Sequence, residues 1–390
     1  MDGRAAELSS TGRLTVQGSY ETNPELLRRN ERHVAEKQLS PGLVGELLGE
    51  TYGIDFDLGM SMVRTSDETV TPDSLRYDTT VGGRVDAELF RLTGSVDYSK
   101  QAFDNTEFND DELTTDAGSA SVSNNETVDD ITLTSRLEHN WSERSTVFLE
   151  DAYRVVSFTG GNSTDFTNVS LSSGLVYQWS ETLAVTPGFE VRRFDPADNA
   201  PTDIVEGSLG FEQQLNDTTA YDVTIGMLKT GDEAQVTFDA TFEKLFQDYF
   251  LQLNGNRQLS PNDEGELQDR RTFGLDISRE LSDRTRAGID AIWTKSEDLD
   301  SRRLGFNISH DVNQDVLIGF SMDAVQSISE NAVGDTKTMQ YRADPFVNWI
   351  VAENLSARLS YRELWEDTDA LGSVNTRRVT LAVTYTKTLN

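Results

Sequence analysis

The chain has 390 residues, 36% of them hydrophobic, and its 67 acidic and 34 basic side chains give a formal net charge of −33. It has no run of about eighteen apolar residues, which excludes a transmembrane helix, and its acidity excludes nucleic acid as a partner, because binding phosphates requires clustered Lys and Arg. The absence of cysteine excludes a disulfide framework, thiolate metal sites and a cysteine nucleophile.

Apolar and polar residues alternate along nearly the whole chain, beginning at residues 12–20. Such alternation predicts β-strands that have one apolar face. A polar loop is predicted from Glu21 to about Lys37. The cleanest strand follows at residues 52–62, where every even residue is apolar and the residues between are Gly, Asp or Ser.

The segment 146–158 leaves its register open. It has two apolar rows, one on each face. The first row is Val147, Leu149, Tyr153 and Val155, and Asp151 interrupts it. The second row is Phe148, Val156 and Phe158. The pattern therefore predicts a strand here without deciding which row is the apolar face.

Long and short connections alternate along the chain. Short turns are predicted near residues 50, 90, 142, 181, 217, 247, 282, 314 and 353. The connections between them are longer and more acidic, and the longest is the segment 103–128, rich in Asp, Glu, Asn, Ser and Thr. This rhythm predicts successive hairpins with tight turns at one rim and loops at the other.

These features predict an all-β fold, a single transmembrane antiparallel up-and-down β-barrel of about 18–20 strands, with twenty favoured. Its short turns would lie in the periplasm and its longer loops, including 103–128, would be extracellular. We expect residues 12–390 to form the barrel and residues 1–11 to form an N-terminal periplasmic extension. The alternative is a soluble acidic β-sandwich or solenoid, but the strands of those folds are usually shorter and neither predicts the rhythm of connections.

The barrel prediction places the protein in the outer membrane of a Gram-negative bacterium. Residues 1–7 lack the apolar segment of a signal peptide, so we expect the signal to be absent from the sequence as given. Outer-membrane lipid and lipopolysaccharide are then the expected partners of a monomeric barrel.

The polar phase of the strands predicts the residues that line a water-filled lumen. They are Asp55, Asp57, Arg76, Asp78, Arg84, Asp86, Asp97, Arg136, Glu138, Arg192, Glu206, Glu212, Asp222, Asp239, Asp276, Asp290, Arg342, Asp344 and Arg358. In a narrow channel of low dielectric this excess of acid favours cations or neutral sugars over anions. The alternative is that these groups only pair across strands and solvate the lumen.

Aromatic residues beside the short turns predict one boundary of the membrane. Trp141 and Trp179 each precede a Ser-Glu turn, and Tyr249 and Trp349 also lie next to predicted turns. Aromatic rings with a polar edge prefer the membrane interface, so these four residues are predicted to be membrane-interface aromatics.

Nothing in the sequence is typical of an enzyme active site. The three histidines, His33, His139 and His310, are scattered over a loop and two different strands, and none is paired with a serine in the way a hydrolase requires. We therefore predict no catalytic residue and no cofactor.

Acidic clusters offer the only candidate metal ligands. Asp110, Asp111, Asp263 and Glu264 could hold Ca²⁺ through oxygen atoms, but they lack the spacing of an EF-hand loop. Solvated loop charge is the alternative interpretation.

The segment Tyr20-Glu21-Thr22-Asn23-Pro24, followed by Leu39-Ser40-Pro41-Gly42-Leu43, resembles the N-terminal signature of a family of outer-membrane barrels encoded in exopolysaccharide loci of Gram-negative bacteria, including loci associated with PEP-CTERM sorting systems. The resemblance implies passage of a secreted polysaccharide across the outer membrane, with polysaccharide and periplasmic export proteins as partners. Outer-membrane barrels often end in an aromatic residue, whereas this chain ends in Thr388-Leu389-Asn390, so the resemblance is incomplete at the C-terminus.

The sequence thus predicts a passive outer-membrane conduit for exopolysaccharide export or for other polar solutes, with no catalytic step. A general porin is one alternative, and a structural or adhesive barrel whose lumen is plugged by its own loops is another. An outer-membrane barrel hydrolase is the third alternative.

Overall fold

The computed structural model describes residues 7–23, 32–68, 73–102, 127–160, 163–261, 266–297, 299–329, 336–368 and 372–389. Within these ranges the chain forms twenty β-strands, numbered in chain order. They are β1 Glu7–Thr22, β2 His33–Leu48, β3 Tyr52–Thr65, β4 Ser74–Asp86, β5 Phe90–Ala102, β6 Thr127–Ser142, β7 Ser145–Thr159, β8 Phe166–Gln178, β9 Leu183–Pro196, β10 Thr202–Asn216, β11 Thr219–Thr230, β12 Glu233–Leu245, β13 Tyr249–Pro261, β14 Leu267–Ser282, β15 Thr285–Lys295, β16 Leu299–Asp311, β17 Val316–Ser329, β18 Thr336–Ala352, β19 Leu355–Thr368 and β20 Gly372–Leu389.

The strands form one closed sheet. Each strand pairs with its neighbours in sequence, all in antiparallel register, and β1 also pairs with β20. The closing ladder runs from Ser10 opposite Leu389 to Thr22 opposite Arg377. The predicted antiparallel barrel and its favoured number of twenty strands are therefore confirmed.

The apolar rows face outward. Leu14 is 41% exposed, Ile54 is 42% exposed and Leu304 is 56% exposed, and many other large apolar side chains on the same phase are exposed to a similar degree. The main buried apolar cluster among the described residues is small, formed by Val156, Phe166 and Phe194. A surface of this kind needs an apolar surrounding, because soluble monomers seldom expose so large an apolar area.

One rim of the barrel carries tight turns throughout. The nine predicted short turns are connections of two to four residues, and the opposite rim has connections that range from two residues, at 231–232, to twenty-four, at 103–126. Gly231 makes the two-residue turn possible because its φ of 57° lies in the left-handed region, which glycine enters without strain. No helix in the described ranges is long and apolar enough to cross a membrane.

Some predicted boundaries are wrong by several residues. β1 begins at Glu7, so residues 7–11 belong to the barrel wall and not to the predicted extension, because Leu8 lies opposite Leu47 and continues the outer apolar row. β2 begins at His33, inside the predicted loop, and the His33 ring stacks on Tyr20 with 6.0 Å between centroids. The predicted loop 103–128 lies outside the described residues except for its last two, which begin β6.

The structure also decides the register that the pattern left open. In β7 the row containing Leu149 and Tyr153 faces outward, and Val156 on the opposite row is only 3% exposed. Asp151 therefore lies on the outer face, halfway along the strand, opposite Ser135 and Leu171.

Candidate functional site: the lumen and its mouth

The charged residues that the sequence assigns to the lumen all lie on the strand phase opposite to the exposed apolar rows. In β3, for example, Asp55 and Asp57 alternate with the exposed Ile54 and Leu58. Because the sheet is closed, this phase faces the interior of the barrel, which makes the interior polar and the exterior apolar.

Part of this interior charge is paired. The Arg136 guanidinium donates to Glu138 at 2.8 Å and to Glu150 at 2.9 Å. Asp344 accepts a hydrogen bond from Nε of Arg362 at 3.1 Å. Arg136, Glu138 and Asp344 were among the predicted lumen residues, whereas Glu150 and Arg362 were missed although they lie on the same phase.

A buried ion-pair network lies on β15 to β18. The Asp323 carboxylate lies 2.8 Å from an Arg303 nitrogen and 2.7 Å from an Arg342 nitrogen, and the Asp323 side chain is only 9% exposed. Arg303 also lies 3.7 Å from Asp290. The sequence identified Asp290 and Arg342 as lumen residues but missed Asp323 and Arg303. The one sequence feature that could have found these two is the alternation of apolar and polar residues along β16 and β17.

One side of the interior is acidic. We call Glu206, Glu212, Asp222, Asp239 and Asp276, on β10 to β14, the acidic wall. In this region acids lie directly opposite acids, in the pairs Glu190–Glu206, Glu212–Asp222 and Asp276–Asp290. Like charges directly opposite each other destabilise a sheet, and mobile cations in a water-filled space reduce that repulsion.

The rim opposite the tight turns is narrowed by a hairpin. The β12–β13 ladder stops at Phe238 opposite Arg257, although β12 begins at Glu233 and β13 continues to Pro261. The end of the β13–β14 hairpin, residues 258–261 and 267–270, is therefore separated from β12. We call this segment the mouth hairpin.

The mouth hairpin leans across the interior. Its inward side chains Ser260, Gln268 and Arg270 are 9% exposed or less. Leu267 packs against the cluster of Phe166, Phe194 and Val156, which belongs to β7 to β9. These contacts join two strand groups that are not neighbours in the sheet, so the mouth hairpin covers part of the opening.

A cavity of about 720 Å³ lies between the mouth hairpin and β6 to β9. Its lining combines phenyl rings, charges and amides. Arg154 donates to Asp130 through two nitrogens, the shorter bond being 2.7 Å, and Arg154 lies 5.9 Å from the Phe166 ring centre. Nε of Arg192 and the Oδ1 atoms of Asn168 and Asn256 have no hydrogen-bond partner among the described residues. The lining of the cavity therefore combines apolar rings with polar groups that are not fully satisfied by the protein.

Two aromatic girdles mark the outside of the barrel. The predicted Trp141, Trp179, Tyr249 and Trp349 all lie at the rim of tight turns. A second girdle, which was not predicted from the sequence, lies nearer the opposite rim. There Trp293 stacks on Phe273 and Tyr77 stacks on Tyr98, and Tyr341 and Trp365 are also exposed.

The spacing of the two girdles matches a membrane. Trp349 and Tyr341 lie on the outer face of β18, eight residues apart. With a rise of about 3.4 Å per residue and a strand tilt of about 40°, eight residues span roughly 20 Å along the membrane normal. This value is close to the roughly 25 Å apolar band of outer-membrane barrels.

Comparison with solved structures gives the fold class. No family model and no curated protein matches the sequence. The ferric enterobactin receptor PfeA of Pseudomonas aeruginosa matches with a TM-score of 0.55 and 8% identity, over 97% of this chain and 80% of that one. The siderophore receptor PirA of Acinetobacter baumannii matches with a TM-score of 0.53 and 8% identity, over 96% and 80%. Pseudomonas aeruginosa OpdQ matches with a TM-score of 0.47 and 10% identity, over 98% and 100%.

The chain has the fold of an outer-membrane β-barrel. At identities this low the likeness concerns the fold alone. The function of this barrel therefore has to be argued from its own residues.

Among the described residues, Asp151 is a charged side chain on the outer face of the barrel halfway along β7, and the Ser135 hydroxyl donates a hydrogen bond to it. Because Asp151 lies halfway along β7, Asp151→Leu is expected to raise the free energy of unfolding by about 1–2 kcal/mol, the order of a charge moved away from the bilayer centre. Urea titration in lipid vesicles measures this. Asp195→Leu, an outward aspartate near the end of β9, is the matched control and should change stability less. Equal effects of the two substitutions would place Asp151 outside the apolar zone.

The candidate calcium ligands Asp110, Asp111, Asp263 and Glu264 all lie outside the described residues. Over the ranges that the structure covers, no group of three or more His, Asp or Glu side chains is arranged to hold a metal ion. Calcium binding therefore stays a prediction from sequence.

Proposed function

We propose that the protein is a channel of the bacterial outer membrane that passes polar solutes, with cations preferred over anions. The observation that carries this proposal is the acidic wall, which lies inside a closed barrel whose outside is apolar. Ionised carboxylates are too costly to bury without water or a partner, so an interior with opposed acids must be hydrated. A hydrated acidic path attracts cations and repels anions.

Single-channel recording in a planar bilayer tests the proposal. In a KCl gradient the reversal potential is expected to have the sign of K⁺ selectivity. The double substitution Glu212→Gln and Asp222→Asn should shift that potential toward zero, because it removes two opposed charges from the acidic wall.

The control for this experiment is Asp203→Asn. Asp203 faces outward on β10, 3.5 Å from Arg193, and it should leave the reversal potential unchanged. Selectivity for Cl⁻, or no conductance from protein that is shown to be folded, would contradict the proposed channel.

For the transported solute we propose a secreted polysaccharide. The resemblance carried by residues 20–43 supports this choice, as does the cavity under the mouth hairpin. The side-chain amides of Asn168 and Asn256 line this cavity beside the largely buried Phe166 and Phe194 rings, and such a lining suits the hydroxyl groups and the apolar edges of a sugar. Periplasmic export proteins would deliver the polysaccharide to the channel.

A strain that lacks the protein tests this finer proposal. Loss of extracellular polysaccharide, restored by the wild-type chain and less well by Asn168→Ala with Asn256→Ala, is the expected result. Normal secretion by the deletion strain would contradict the polysaccharide as solute. The proposal of a cation-preferring channel would still be decided by the single-channel recording. The channel and its solute can therefore be contradicted separately.

A further inference from the structure

Three cations lie side by side on the outside of the barrel. On β13, β14 and β15, Arg257 is directly opposite Arg271, and Arg271 is directly opposite Lys295. All three occupy the outward phase, on the same side as the exposed Phe273 and Trp293. We call Arg257, Arg271 and Lys295 the outer basic row.

Such a row requires an anion. Like charges on directly opposed residues destabilise a sheet, and the chain as a whole carries a net charge of −33, so cations do not accumulate here through a general excess of base. Asp269 supplies one carboxylate, which lies 2.9 Å from Arg257 and 2.8 Å from Arg271. It neutralises one of the three charges and holds the two guanidinium groups in fixed positions.

A fourth cation lies beside the row. Arg302, on β16, is directly opposite Trp293 and lies 3.3 Å from Asp300, which also accepts a hydrogen bond from the Trp293 indole at 3.0 Å. The charges of these four cations and two carboxylates sum to +2. The Arg271 and Arg302 side chains are 47% and 59% exposed, so their remaining donors are accessible.

An aromatic shelf lies directly below the row on the membrane side. The Phe273 and Trp293 rings stack with 5.5 Å between centroids and 14° between planes. Further along the same strands the outer face is apolar, with Leu275 and Ile289. A ligand held by the row would therefore have its lower part against aromatic and aliphatic side chains, which favours a lipid over a free anion.

We propose that the outer basic row, with Arg302, binds the phosphate groups of a membrane-lipid headgroup, and that the acyl chains of that lipid lie on the Phe273–Trp293 shelf. Phosphate is a multivalent oxygen acceptor that matches guanidinium donors, and its charge offsets the repulsion within the row. The row lies at the rim opposite the tight turns, so the lipid belongs to the leaflet on that side. This proposal does not depend on what passes through the lumen.

Native mass spectrometry of the detergent-solubilised barrel tests the proposal. The probes are bis-phosphorylated lipid A, the same lipid after phosphatase treatment, and inorganic phosphate. Wild-type protein is expected to retain the phosphorylated lipid, and the triple substitution Arg257→Gln, Arg271→Gln and Lys295→Gln is expected to weaken its binding by about tenfold or more, because charged hydrogen bonds are lost.

Two further variants keep the test decisive. Lys244→Gln with Arg279→Gln removes outward cations from the opposite rim and should leave binding unchanged. Arg257→Lys with Arg271→Lys keeps the charge and should retain most of the binding if the triple variant proves to be poorly folded. Equal retention of the dephosphorylated lipid would overturn the proposal, as would complete displacement by inorganic phosphate at equal concentration.

Discussion

Replacing Asp323 by asparagine is expected to lower the free energy of unfolding by about 3–5 kcal/mol, the range found when a buried ion pair loses one partner. The substitution hardly changes volume, so no cavity contributes. Its effect arises because Arg303 and Arg342, with side chains 12% and 10% exposed, lose the carboxylate that both contact. Urea titration of the folded barrel in detergent or lipid measures the change.

The matched control is Asp203→Asn, which breaks the exposed pair with Arg193 on the outer face. Because both side chains are more than half exposed, this pair should contribute less than about 1 kcal/mol. A stability loss at Asp323 no larger than at Asp203 would show that water reaches the network and that the interior wall is hydrated even there.

Replacing Leu267 by aspartate is expected to open the mouth of the barrel and to roughly double the single-channel conductance, because the narrowest part of a pore dominates its resistance. Leu267 joins the mouth hairpin to Phe166, Phe194 and Val156 on the other side of the cavity. A hydrated carboxylate does not fit among the Phe166 and Phe194 rings, so the contact should separate and the hairpin should move outward.

Leu267→Met is the control, since it keeps an apolar side chain of similar volume and should keep the wild-type conductance. A second measurement uses the absence of cysteine from the chain. In Leu267→Cys with Phe194→Cys, oxidation should fix the hairpin and lower the conductance, and reduction should restore it. Conductance that does not respond to Leu267→Asp or to the crosslink would show that the hairpin does not control the path.

The sequence predicted the barrel because the decisive signal is local. Alternation such as that of residues 52–62 sets the outward face of a strand without reference to any other strand, and the tight turns set the order of hairpins. The same signal failed at Asp151, where an outward position carries a charge and the two rows of β7 appear equivalent.

Contacts between strands were beyond the sequence. Asp323 and Arg342 are 19 residues apart, and their contact depends on the register of β17 with β18. The mouth hairpin was missed for a related reason. β12 and β13 keep their alternation up to their ends, so nothing in the pattern indicates that the ladder stops at Phe238 and that Leu267 reaches across the interior.

The joint between β1 and β20 limits the order in which the wall can be assembled. The Thr376 hydroxyl donates to Glu21 at 3.1 Å, and the Asn23 amide donates to the Asn375 carbonyl at 3.1 Å, so these bonds connect residues more than 350 positions apart. The other strand pairs join segments that are close in sequence. The free edge of β1, in contrast, stays unpaired until β20 has been synthesised. Closure of the barrel therefore requires β20 to pair with both β19 and β1, and a truncated product without β20 would be left with two open edges that can capture other strands.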